Sequence, residues 1–222
     1  MKNDNSNKEV KRAYTIADIR AETIKENDGD DLRQVSGHAA VFNQETVIYG
    51  MFRETIERGA FDNTDFDDVL YSVNHELTKI PLARSRRNNG NSTLYLEVDD
   101  TGLFTRASLD VENNNEAKAL FSAVSRGDID GMSFIFYVRD EEWVDLDKDL
   151  PLRRIKEIAR VKEVSAVNFP AYTGTDINTA RGVDTLDNAK IVLENARSKG
   201  LDNSSEVEIL KIRNKIIAQE GN

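Results

Sequence analysis

Ser133, in Gly131-Met132-Ser133-Phe134-Ile135-Phe136, and His75, in Val73-Asn74-His75-Glu76, are the side chains whose types best fit chemistry in this chain. A serine hydroxyl is a weak nucleophile at neutral pH. It needs a base within about 3 Å to take its proton and a third group to orient that base. Histidine suits the task because its free pKa, about 6.5, lies near working pH. The chain has 2 histidines, so the base is His75 or His38. His38, in Ser36-Gly37-His38-Ala39-Ala40, sits in a strand pattern among small neighbours and reads as an ordinary sheet histidine. His75 follows a strand and stands among polar residues, where a base at a loop edge is well placed. Spacing alone leaves open that His75 is a surface histidine and Ser133 a plain strand serine.

The elements that must position these groups are mostly strands. Residues 13–24 and 32–42 flank the turn signal Asp28-Gly29-Asp30-Asp31 and predict an antiparallel pair. Further strands are expected at 52–56 and at 69–73, the second delivering His75. Segments 82–86 and 93–98 flank Asn88-Asn89-Gly90-Asn91 and predict a hairpin, continued as a meander through Asp99-Asp100-Thr101-Gly102 into 103–109. Asn113-Asn114-Asn115, then Ala117, Leu120, Phe121 and Val124 at helical spacing and Gly127 as a stop, predict a helix over 116–126. Ser133 falls on the next strand, 132–138, where alternation sets Ser133, Ile135 and Tyr137 on one face and Met132, Phe134 and Phe136 on the other. Residues 155–167 supply one or two more strands, ended by Phe169-Pro170-Ala171-Tyr172.

Three segments are expected: a disordered tail over 1–12, a catalytic domain over 13–182, and a helical extension over 183–222 with helices at 186–199 and 206–219. Cysteine is absent, which removes disulfides, thiolate metal sites and cysteine nucleophiles. A formal net charge of −10 argues against direct nucleic-acid binding. No apolar run approaches the roughly 18 residues of a membrane span, and the first residues lack the apolar stretch of a secretory signal. Asp62, Asp65, Asp67 and Asp68 lack calcium-loop spacing and read as a hydrated acidic face. Trp143 reads as a loop anchor. No cofactor or metal is expected.

Gly37-His38-Ala39-Ala40-Val41-Phe42-Asn43, Phe52-Arg53-Glu54-Thr55-Ile56 with Gly59-Ala60-Phe61, Asn74-His75, Asp100-Thr101-Gly102-Leu103, Gly131-Met132-Ser133-Phe134, and Glu163-Val164-Ser165 with Pro170-Ala171-Tyr172, taken in this order, resemble the prohead proteases of tailed bacteriophages. The resemblance runs from about residue 13 to 180. It implies an α+β fold similar to that of the herpesvirus assemblins, with a mostly antiparallel β-barrel core surrounded by helices. It further implies a serine endopeptidase with Ser133 as nucleophile and His75 as general base. Such an enzyme cuts scaffold and capsid precursor segments during procapsid maturation, and the polar break at 199–205 suggests that it also removes its own C-terminal segment. It would act as a homo-oligomer inside the assembling procapsid in the host cytoplasm, without membrane or direct nucleic-acid contact.

Assemblin-like enzymes use a second histidine, and this chain has none after Ser133, so an acid must substitute. Glu163 is the choice, since a carboxylate there could hold His75 in one tautomer; Ser165 and Glu76 are weaker alternatives. The family often carries glycine two residues after the serine, where this chain has Ile135. That departure leaves room for a catalytically silent scaffold protein that retains the fold.

Overall fold

The computed structural model describes residues 9–14, 18–25, 31–168 and 189–200. Eleven strands and a helix follow one another as β1 (Glu9–Tyr14), β2 (Arg20–Ile24), β3 (Leu32–Val41), β4 (Thr46–Ile48), β5 (Phe52–Ile56), β6 (Val69–Val73), β7 (Ala83–Ser85), β8 (Leu94–Val98), β9 (Gly102–Leu109), α1 (Asn115–Arg126), β10 (Gly131–Val144) and β11 (Leu152–Val167). Residues 189–200 form a second helix, α2.

The strands make two sheets. One has seven strands in the order β1-β10-β11-β5-β4, with β6 on β11 and β7 on β6; the other has four, in the order β2-β3-β9-β8. Their inner faces share a core in which Met132, Phe134, Phe136, Val164 and Ala166 from the first sheet meet Val35, Ala39, Leu103 and Ala107 from the second. Phe134 and Phe136 are fully buried, and their rings stack at 4.3 Å. Burial at this level stabilises by about 1.5–3 kcal/mol per large apolar side chain. The backbone of this β10 segment is thereby anchored in the core on either side of Ser133.

The strand β11 is the centre of the larger sheet. It runs antiparallel to β10 along one edge, while its other edge pairs in parallel with β5 near its start and with β6 near its end. One 16-residue strand therefore occupies the region expected to hold one or two. Residues 9–12, assigned to the tail from the sequence, pair with β10 as part of β1.

The barrel expected from the sequence is corrected: the sheets stay open. Closure would need a ladder between β7 and β8, the hairpin predicted for 82–86 and 93–98. Instead β7 pairs with β6 and β8 with β9. The two segments share a backbone bond from Thr93 N–H to Arg84 C=O at 3.0 Å. The cause is Asn88, in left-handed conformation at φ 48°, whose side-chain amide donates to Leu96 C=O at 2.8 Å and accepts from Leu96 N–H at 3.1 Å. That amide takes the place a neighbouring strand would hold.

The helix α1 follows its sequence signals. Asn114 Oδ1 accepts from the N–H of Glu116 and Ala117, and Gly127 ends the helix at φ 76°. It packs on β2, β3 and β9. Trp143 lies within β10 rather than on a loop; its ring meets Phe52 edge-on at 5.1 Å and lies beside Arg153. Beneath it, the buried Arg153 is gripped by Glu54 at 2.9 Å and by Glu141. A second apolar cluster forms here from Ile48, Phe52, Ala189 and Leu193, seating α2. The 182/183 boundary and the helix expected at 206–219 lie outside the described residues.

Candidate active site

Strand register brings three hydroxyls abreast. Ser133 on β10 is the ladder partner of Ser165 on β11, and Ser165 is the partner of Ser72 on β6. Paired residues share a face of the sheet, so the three form a row across three strands. Glu163 stands two residues before Ser165 and points to the same side. The face is polar only locally: Ile135, the ladder partner of Glu163, is fully buried beside it. The isoleucine that departs from the family pattern thus walls the carboxylate.

His75 reaches this row from a sharp turn. After β6, Asn74 and His75 both take left-handed backbone conformations, at φ 52° and 58°. Such consecutive non-glycine residues each carry strain on the order of 1 kcal/mol and need outside support. The support is visible. Asn74 N–H donates to Ala166 C=O at 2.9 Å, and Asn168 N–H donates to Asn74 Oδ1 at 3.0 Å, tying the turn to the end of β11.

The ring of His75 lies with Nε2 2.6 Å from Ser133 Oγ and Nδ1 2.7 Å from Glu163 Oε2. Ser165 Oγ lies 3.2 Å from the same Nδ1. Ser72 Oγ donates to the other carboxylate oxygen, Glu163 Oε1. An ionised carboxylate only accepts, so Nδ1 carries the hydrogen and Nε2 offers its lone pair to Ser133. Glu163 and Ser165 are fully buried and Ser133 nearly so, while the His75 side chain retains 16% of its exposure. Solvent and substrate therefore meet this constellation at the imidazole. On the opposite face of β6, Tyr71 is fully buried; burial first, then the charge of Glu163, pushes its phenol well above the ordinary range, which keeps it neutral.

All three residues chosen from the sequence, Ser133, His75 and Glu163, converge, and Ser165 joins them. Glu76 does not; its backbone N–H turns back to Val73 and its carboxylate accepts from Thr78. Sequence reasoning missed Ser72. Its signal was a lone hydroxyl in the apolar strand Val69-Leu70-Tyr71-Ser72-Val73, three residues before the histidine. His38 belongs to the other sheet. It sits between two carboxylates, Nδ1 2.5 Å from Asp18 and Nε2 2.9 Å from Asp99. Burial pulls its pKa down, but hydrogen bonds and charge from Asp18 and Asp99 outweigh this, and the pKa is raised. It is a bridge rather than an ordinary sheet histidine.

The acidic stretch is neutralised by the basic loop facing it: Arg84 grips Asp68 through two bonds at 2.7 and 2.6 Å, and Arg87 holds Asp67 at 2.7 Å. Among the described residues no group of three or more His, Asp or Glu side chains is placed to hold a metal ion.

A serine, histidine and glutamate in hydrogen-bonded series on a β scaffold is an arrangement for acyl transfer. The profile of the Caudovirus prohead serine protease family matches residues 20–189, most of the chain. The chain belongs to that family. Its role is that of a phage capsid-maturation protease, acting on capsid precursor proteins within the procapsid. A solved structure, the capsid assembly protease of bacteriophage T4, is similar over 72% of this chain and 99% of its own, at 11% identity and a TM-score of 0.40. No curated protein matches. Among the described residues no helix is long and apolar enough to cross a membrane.

Proposed function

We propose that this prohead protease is a serine endopeptidase in which Ser133 attacks the scissile carbonyl, His75 carries the proton and Glu163 orients and charges-balances the imidazole. The observation that carries the reading is the unbroken series from Ser133 Oγ through both ring nitrogens of His75 to Glu163, with links of 2.6 and 2.7 Å.

The chemistry follows from the tautomer. As Ser133 Oγ bonds to the carbonyl carbon, its proton passes to His75 Nε2, and the ring becomes an imidazolium beside the buried Glu163 carboxylate. The carbon–nitrogen bond then breaks, Nε2 returns the proton to the departing amine, and Ser133 is left as an ester. Water enters, loses a proton to Nε2 and attacks the ester carbon. The released acid and the restored hydroxyl close the cycle. Ser72 keeps the carboxylate from rotating, because one of its oxygens is already engaged when the other faces Nδ1.

The substrates on this reading are scaffold and capsid precursor segments, cut inside the procapsid in the host cytoplasm by a homo-oligomer. Residues 13–182 form the catalytic domain, and residues 183–222 form an extension that the enzyme removes from itself. A kinship with the herpesvirus assemblins has no support in the family match, and the open sheets do not supply it. Co-expression with the capsid precursor tests the reading: cleavage is expected with the unaltered chain and none with Ser133→Ala, while particles still assemble. A silent scaffold protein would give no cleavage in either case.

A further inference from the structure

The last turn of β11 is buried throughout, and its residues are apolar with one exception: Ser165 stands among Val164, Ala166 and Val167. A hydroxyl at zero exposure in such company is costly to leave unpaired. Its side-chain partner among the described residues is Nδ1 of His75, at 3.2 Å. Glu163 meets the same nitrogen at 2.7 Å. The two acceptors sit two residues apart on one face of one strand, about 7 Å along it, with the ring nitrogen between them.

We propose that Ser165 is a positioning residue: its hydroxyl oxygen shares the Nδ1 hydrogen with Glu163 and keeps the imidazole of His75 aimed at Ser133. The inference rests on the serine-protease reading above and adds to that site a group that acts through the histidine. The direction of the bond follows from the hydrogens available. The Glu163 carboxylate only accepts, so the Nδ1 hydrogen belongs to that nitrogen, and Ser165 can meet it only as a second acceptor. A hydroxyl donating to Nδ1 would require the ring hydrogen on Nε2, where it would face Ser133 and leave no lone pair for the serine proton.

Two acceptors fix what one cannot. His75 stands on a turn of left-handed residues, so its ring is held through its own nitrogens. With Glu163 alone the ring can pivot on Nδ1, and an oxygen on the other side of the hydrogen opposes that pivot. Pivoting carries Nε2 away from Ser133 Oγ, now 2.6 Å distant, and a misplacement of about 1 Å costs on the order of 100-fold in rate. The same oxygen faces the imidazolium that forms when Ser133 loses its proton, and favours it.

The test is the pH profile of peptide cleavage by the full chain and by Ser165→Ala, with rates normalised to the fraction of Ser133 that reacts with a fluorophosphonate. Glu163 on β11, Glu76 and Lys79 in the loop after His75, and Glu116 at the start of α1 stand around the turn. Ser165→Ala alters none of them, so a moved profile reports the hydroxyl. The acidic limb of kcat/KM should shift to lower pH by about half a unit, a threefold change in basicity, and kcat should fall about 3- to 10-fold with KM unchanged. Ser165→Thr keeps the acceptor and should leave the limb in place. A folded Ser165→Ala enzyme whose limb does not move, or a Thr variant whose limb moves as far, overturns the proposal. Should Ser165→Ala fail to fold, Ser165→Cys, whose sulfur accepts only weakly, takes its place with the same expected and refuting results. If Ser133 in the unaltered chain neither labels nor cleaves, it is the triad reading that fails. Magnetic resonance of histidine-labelled chain then judges Ser165 separately, with the His75 signal told from that of His38 by His38→Gln. Titration of the His75 ring at lower pH in Ser165→Ala upholds the role, and equal titration refutes it.

Discussion

Glu163→Gln isolates the charge of the proposed third triad member, because it keeps the side-chain volume and leaves an oxygen that Ser72 can still bond. The cost to catalysis comes from the moment when His75 is protonated. In the native site the imidazolium forms with Nδ1 2.7 Å from a fully buried carboxylate oxygen. With charge centres about 4 Å apart and an effective dielectric near 20, that attraction is on the order of 4 kcal/mol. Losing it predicts a fall of about 10³-fold in kcat/KM, since each 1.36 kcal/mol is tenfold. The amide adds a second penalty: if its NH₂ faces Nδ1, it selects the tautomer that presents N–H, not a lone pair, to Ser133. Cleavage of a capsid-precursor peptide by purified protein measures the effect, with circular dichroism and thermal melting to show that the fold persists. Ser72→Ala, which frees the carboxylate without removing it, should cost far less, about 3- to 10-fold, as expected for one buried hydrogen bond. A folded Glu163→Gln enzyme within threefold of the unaltered one would refute the role of Glu163.

Two further predictions concern the second sheet. Both ring nitrogens of His38 face carboxylates that only accept, so the ring is bound as an imidazolium that ties the segment at Asp18 to the turn at Asp99. Its folded-state pKa lies above the unfolded value near 6.5, so its stabilisation is full below about pH 6.5 and is lost as pH rises through the folded value. The melting-temperature gap between the unaltered chain and His38→Gln should therefore be widest near pH 6 and narrow toward pH 9; a gap constant across that range would contradict the bridge. Gly102 opens β9 where the β3 ladder slips by one residue, and a Cβ there would come 2.0 Å from the Ala40 carbonyl oxygen. Gly102→Ala should destabilise by about 3 kcal/mol or more in urea unfolding, because backbone rather than a flexible side chain stands in the way; a loss under 1 kcal/mol would show that the strands part easily.

Local signals carried much of the fold. The caps at Asn114 and Gly127 bounded α1, the apolar run Val69-Leu70-Tyr71-Ser72-Val73 bounded β6, and alternation across 132–138 set Ser133 apart from Phe134 and Phe136. Sheet closure was not legible in the same way. It needs β7 to pair with β8 and β1 with β2, and at the first of these junctions the Asn88 amide bonds Leu96 in place of a neighbouring strand. No periodicity distinguishes an asparagine that turns a chain from one that also stands in for a strand. The site shows the same boundary. Ser133, His75 and Glu163 were reachable from residue type, chain order and resemblance, but the positions of Ser72 and of the Asp18 and Asp99 carboxylates depend on contacts 91, 20 and 61 residues apart in sequence.

The placement of the proposed triad on the fold also decides which of its members is held least by the sheet. Ser133 and Glu163 belong to β10 and β11, whose backbones pair without a break from Gly131–Val167 to Ile135–Glu163 and whose neighbouring side chains fill the core. His75 stands on a turn of two left-handed residues, outside any ladder. A carboxylate buried at zero exposure is costly unless its oxygens are engaged, and here that engagement depends on Ser72 from one side and His75 from the other. Swinging the imidazole away would strip one carboxylate oxygen of its hydrogen-bond donor. The buried carboxylate thus holds the ring against Ser133 in opposition to the strain of the turn.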